Sequence, residues 1–154
     1  MKIDGRCHCG FITYEAEIDP ETAMICHCTD CQTLTGSAFR TFVLSHEDGF
    51  ALRSGELKTY VKTSDSGAKR LQTFCPECGS PIYSTSAGDG PKVYSIRVGT
   101  SRQRDDLVPR GQIWCRSAQA WVGGIGSLPG TETQAGFPPA RASRGDRVED
   151  GRQV

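Results

Sequence analysis

The sequence predicts a mainly β domain of short antiparallel strands, on three observations. Residues 11–18, FITYEAEI, set Ile12, Tyr14, Ala16 and Ile18 against Thr13, Glu15 and Glu17, the period of two that gives a strand one buried face. Six more short β-type runs lie between residues 38 and 99, separated by Gly, Ser, Asp or Pro. Only one short helix competes with them.

In chain order, the first strand covers 11–18 and DPET (19–22) breaks it. A helix is expected at Asp30 to Leu34, where Thr29 and Gln32 stand at capping-box spacing and Gly36 provides the stop. Strands follow at AFRTFVLS (38–45), FALRSG (50–55), LKTYVKT (57–63), RLQTF (70–74), PIYST (81–85) and KVYSIRVG (92–99). LVPRG (107–111) matches a protease site used in expression tags, but its place in mid-chain before QIWC makes this a coincidence. From Gly123 the chain turns rich in Gly, Pro, Thr and Ser, and after Phe137 it has almost no large apolar side chain. We therefore expect one domain over 1–137 and a disordered tail over 138–154.

Charge narrows the function. The chain has 154 residues, with 18 Lys+Arg against 18 Asp+Glu and no long run of either sign, which argues against a nucleic-acid binder or a polybasic membrane anchor. No stretch approaches the ~18 apolar residues of a membrane span, and MKIDGRCHCG lacks the apolar core of a signal peptide. The expected location is the cytoplasm, where eight cysteines serve metal or catalysis rather than disulfides.

Seven of those cysteines fall into three groups: Cys7-x-Cys9, Cys26-x-Cys28-x2-Cys31 and Cys75-x2-Cys78. FCPECGSP has the form of a zinc knuckle, and CHCG at 7–10 is a shorter two-ligand turn with the same glycine after its second cysteine. Paired, Cys7, Cys9, Cys75 and Cys78 make a four-thiolate tetrahedron with a structural role. Cys26, Cys28 and Cys31 then remain as three ligands with a free fourth position, the arrangement of catalytic zinc. Other readings stay open at this point: a second structural zinc closed by His8, His27 or Cys115, an iron–sulfur cluster with a distant fourth ligand, or local disulfides. Each histidine lies between two cysteines in a C-H-C tripeptide, where the middle side chain normally points away from the ion. His46 has no cysteine nearby and is given no role, and Cys115, in QIWC, is expected to be a small buried hydrophobe.

The segments GRCHCG, CHCTDCQTLTGSAF, RLQTFCPECGSPIY, VGT and IWCRSAQAW, in that order over about residues 5 to 121, resemble the glutathione-dependent formaldehyde-activating family. Centromere protein V-like zinc domains share the same pattern. The resemblance implies a β-tent of stacked antiparallel sheets with one or two short helices and two zinc ions per chain. It implies that Cys7, Cys9, Cys75 and Cys78 hold a structural zinc, and that Cys26, Cys28 and Cys31 hold a catalytic one.

The activity implied is that of a carbon–sulfur lyase of the S-(hydroxymethyl)glutathione synthase type. It adds glutathione, or a similar thiol, to formaldehyde or another aldehyde, or cleaves the adduct. A soft ion with an open position suits a thiol substrate. Glutathione is anionic at both ends, so the Gly36 and Ser37 amides with Arg40, or else Arg70, are candidate carboxylate contacts; a plain turn and a solvated strand arginine are the alternatives. A non-catalytic zinc scaffold that binds another protein is the competing function, as is a thiol-rich sensor.

Overall fold

The computed structural model describes residues 1–64 and 66–134, and over these the chain forms two sheets. The tail expected at 138–154 lies outside the described residues. The smaller sheet has the order β1 (Lys2–Arg6), β2 (Thr13–Glu17), β5 (Phe50–Ser54). The larger runs β10 (Gly111–Ile113), β3 (Asp19–Cys26), β4 (Arg40–His46), β9 (Val93–Arg97), β8 (Pro81–Ser86), β7 (Lys69–Phe74), β6 (Lys58–Thr63). A helix, α1 (Thr29–Thr35), follows β3, and several 3-10 turns complete a mainly β fold, as expected. All ten strands belong to one compact unit, Met1–Val122; from Gly123 the chain continues a 3-10 helix, Ala120–Ser127, whose residues are mostly exposed.

Alternation sets the core as predicted. Ile12, Tyr14, Ala16 and Ile18 are all buried, together with Ile3 from β1 and Val43, Ile82 and Ile96 from the larger sheet. Phe50 joins the sheets: its ring stacks on Tyr14 at 5.5 Å and on Tyr94 at 5.1 Å, and meets Tyr83 edge-on at 4.8 Å. Gly5 is required where β1 crosses Tyr14, because a Cβ there would stand 2.3 Å from the phenol oxygen. That oxygen is fixed by a 2.8 Å hydrogen bond with the Thr100 hydroxyl.

Three features depart from expectation. DPET does not end strand structure but opens β3, which begins two residues after β2 ends. Its irregularity lies in a register shift between Asp19 and Met24, where side chains replace ladder bonds: the Leu44 amide donates to Thr22 Oγ1 at 3.0 Å, and the Glu21 amide to Asp19 Oδ1 at 3.0 Å. The larger sheet is not wholly antiparallel, since β10 runs parallel to β3, with Gln112 opposite Ile25. LVPRG belongs to the fold, as Leu107 is 2% exposed in the core and the Arg110 amide donates to Ala23 O at 2.7 Å.

The larger sheet also curls. Arg40 on β4 reaches Gln72 on β7, with Nη1 to Oε1 at 3.4 Å, although β7 stands three places from β4 in the strand order. A flat sheet would separate those strands by ~14 Å. Twist and curl therefore make one sheet face concave. Lys62 on β6 forms an ion pair with Asp30 in the first turn of α1, joining the far edge of the sheet to the helix.

Candidate metal centres

The four-cysteine group assembles from two turns. Cys7 and Cys9 lie between β1 and β2, and Cys75 and Cys78 lie between β7 and β8. Gly10 and Gly79 close these turns at φ 84° and 72°, which a side chain would oppose. Their amides donate back to the first cysteine of each turn, Gly10 to Cys7 O at 3.2 Å and Gly79 to Cys75 O at 2.9 Å. The four sulfurs lie within 4.8 Å of one another, with Cys7 to Cys9 at 3.5 Å and Cys9 to Cys75 at 3.8 Å. A tetrahedron with metal–sulfur bonds of ~2.3 Å has edges of ~3.8 Å, so this donor set fits zinc.

Donors point at these sulfurs. The Ile12 amide donates to Cys7 Sγ at 3.2 Å, and the Ser80 hydroxyl lies 3.2 Å from Cys78 Sγ. Ser80 first, then backbone amides, pull the Cys78 thiol down to about 5. His8 is outside the cluster; its backbone amide donates to Ser80 Oγ at 3.1 Å. A cleft of about 670 Å³ lined by Asp4, Arg6, Cys7, Tyr14, Arg53 and Arg102, among others, borders this group and contains none of the other three cysteines.

The second group forms where β3 meets α1. Cys26 ends β3, Cys28 is the N-cap of α1, and Cys31 is in its first turn, with all three sulfurs within 4.8 Å. The cap is therefore Cys28 rather than the expected Thr29, with the Cys31 amide donating to Cys28 Sγ at 3.3 Å. Gln32 does not close a capping box: its Nε2 donates to His27 O at 2.7 Å and Ser117 O at 2.8 Å, tying α1 to the C-terminal segment. Hydrogen bonding to the Cys31 thiol brings Cys26 below the ordinary thiol range, while the same interaction pushes Cys31 up.

Among the described residues, no fourth side chain joins this group. His27 is buried, but Nε2 lies 2.7 Å from Gln112 Oε1 and the ring meets Phe39 edge-on at 5.8 Å. Cys115 also stands apart and is exposed, contrary to the buried position expected. The cause is Trp114, which takes a left-handed φ of 59° and leads the chain into a 3-10 turn, Cys115–Ser117.

The concave face beside the three cysteines is cationic. Arg40 is the register partner of Cys26, Arg97 that of Phe42, and Gln72 that of Ser84, which places all of them on one face. Arg40 is 4% exposed and Arg97 6%. Burial, reinforced by Arg40's charge, brings Arg97 down to about 9. Of the two readings of the Gly36 and Ser37 amides, carboxylate contact or plain turn, the structure has the turn. Gly36, at φ 61°, donates to Thr33 O, and Ser37 donates to Gln32 O, both at 3.3 Å, so the two amides close α1. Arg97 and Gln72 were not foreseen; the available signal was an arginine between Ile96 and Val98 inside the expected strand KVYSIRVG.

The family model described as glutathione-dependent formaldehyde-activating enzyme matches residues 2–117. Among solved structures, the chain is similar to a Rhodobacter sphaeroides protein determined as a structural genomics target. The TM-score is 0.56 at 20% identity, over 71% of this chain and 98% of that one, a likeness of fold. No curated protein matches the chain. Among the described residues, no helix is long and apolar enough to cross a membrane.

Proposed function

The chain belongs to the glutathione-dependent formaldehyde-activating enzyme family, and we propose that it is a zinc-dependent carbon–sulfur lyase acting on adducts of glutathione, or a similar thiol, with formaldehyde. One observation carries this reading: three cysteines converge with no fourth protein ligand among the described residues, whereas the other four complete a set. Cys26, Cys28 and Cys31 would hold the catalytic ion, and Cys7, Cys9, Cys75 and Cys78 the structural one. Zinc at the open site would supply a Lewis acid that favours the thiolate form of a substrate thiol.

In the forward direction the substrate sulfur bonds to the formaldehyde carbon. The carbonyl π electrons pass to oxygen, and the proton lost by the thiol ends there, giving S-hydroxymethylglutathione; the lyase direction reverses each change. The chain's own contribution is positional. The Cys31 amide orients Cys28 Sγ, Gln32 fixes the helix that carries both, and Arg40 and Arg97 keep positive charge beside thiolates that must stay deprotonated.

The test is exchange between formaldehyde and its glutathione adduct, followed by NMR on zinc-loaded protein. Acceleration over buffer that Cys28→Ser abolishes in a folded variant supports the reading. Exchange no faster than in buffer refutes it for this substrate.

A further inference from the structure

We propose that Arg40 and Arg97, joined through Gln72, form a carboxylate-binding subsite on the concave sheet face, and that the thiol substrate must therefore carry a carboxylate. The inference rests on the preceding reading in one respect only, that the thiol binds at Cys26, Cys28 and Cys31.

Two guanidiniums are buried there side by side, and neither has a carboxylate partner among the described residues. Gln72 Oε1 accepts from Arg97 Nη2 at 2.9 Å and from Arg40 Nη1 at 3.4 Å. An amide oxygen satisfies donors without cancelling charge. Ser95 Oγ, at 3.4 Å from Arg97 Nη1, is likewise neutral. The charges acting most strongly on the pair are those of Cys26, Cys28, Cys31, Arg70 and each other, with no carboxylate among them. Both Nε atoms are buried and have no hydrogen-bond partner.

Buried cations without counter-ions are expensive to maintain, and buried N–H groups are normally paired. The three thiolates explain part of the charge. With a divalent ion bound they carry one net negative charge, against two positive guanidiniums and a half-buried Arg70. That leaves an excess of positive charge on the face, presented by guanidinium groups whose planar fork matches a carboxylate. Register brings this subsite next to the thiol site, since Arg40 faces Cys26 directly. A ligand bearing sulfur at one end and a carboxylate a few bonds away would reach both.

The experiment is calorimetric titration of the zinc-loaded full chain with 3-mercaptopropionate, its uncharged amide, glutathione and glutathione diethyl ester, all without formaldehyde. 3-Mercaptopropionate is expected to bind at least ~10-fold more tightly than its neutral amide, a factor in keeping with a charge-assisted hydrogen bond, and glutathione more tightly than its cationic diester. Arg97→Met should remove that preference, weakening the two acids at least ~10-fold more than the amide and the diester, with the unfolding temperature undiminished. Gln72→Glu supplies an internal carboxylate to both arginines; it should raise the unfolding temperature and abolish the preference.

Equal binding of 3-mercaptopropionate and its amide overturns the proposal, as does a loss in Arg97→Met that falls equally on both, or no binding by either. Zinc content of each variant confirms that the ion is retained. Formaldehyde exchange is scored separately. A carboxylate preference without exchange removes the lyase reading and keeps the subsite, whereas exchange without a preference does the reverse.

Discussion

Cys26 on β3 and Arg40 on β4 face each other in register, so a thiol of the three-cysteine group and a buried guanidinium share one side of the sheet. The two cysteine groups therefore differ in surroundings as well as in number. The four-cysteine group ties two turns together, while the three-cysteine group opens onto a cationic concave face.

That difference predicts opposite responses to losing a ligand. Closed thiolate sites contribute ~10 kcal/mol to folding in small peptides, comparable with the ~5–15 kcal/mol total stability of a domain. Cys75→Ser should abolish cooperative unfolding by circular dichroism and release both metals. Cys28→Ser should keep the fold and lose one metal by elemental analysis.

Serine is the informative replacement at position 28 because the residue also caps α1. A hydroxyl can accept the Cys31 amide bond, whereas a methyl cannot. Cys28→Ala is expected to unfold about 1 kcal/mol more easily than Cys28→Ser in urea titrations at matched metal content. Equal stabilities would remove the capping role.

At the contact between β1 and Tyr14, Gly5→Ala would place a Cβ 2.3 Å from the phenol oxygen and 2.6 Å from the Thr100 carbonyl oxygen. Backbone cannot yield as a flexible side chain does, so a loss of about 2–3 kcal/mol is expected. Tyr14→Phe relieves nothing at the Thr100 carbonyl and forfeits one hydrogen bond, about 1 kcal/mol. Chemical denaturation of both variants checks the order.

Tyr14 also sets an alkaline limit. Burial raises its phenol from the usual 10.0 to about 12. A folded value above the unfolded one means the stabilisation is fully present below pH 10.0 and is lost as pH rises towards about 12. The loss approaches ~3 kcal/mol. Tyr14→Phe should flatten this part of the stability profile, measured by urea unfolding from pH 9 to 12; an unchanged slope would place the titration elsewhere.

The parts of the fold legible in the sequence were those governed by local pattern. β2 shows as alternation from Ile12 to Ile18, and the paired turns show in Cys-Gly spacings that the structure brings together. β3 was hidden because Pro20 and the Asp19 turn imitate a break, and their missing ladder bonds are supplied by Thr22 from the side chain. β10 is three residues long and gains its strand character from pairing with β3, a long-range contact without local signature. Cys115 looked apolar by its neighbours, but one left-handed residue turned it outward. Arg97 became a site residue only through the curl that brings β4, β9 and β7 together.

The central claim is that Cys26, Cys28 and Cys31 keep a coordination position for a substrate thiol. Cadmium NMR of the cadmium-substituted protein tests it most directly, because it resolves the two sites. Two resonances are expected; glutathione should shift the one lost in Cys28→Ser and leave the other in place. A three-cysteine resonance already in the four-sulfur range, and unmoved by glutathione, would contradict the account.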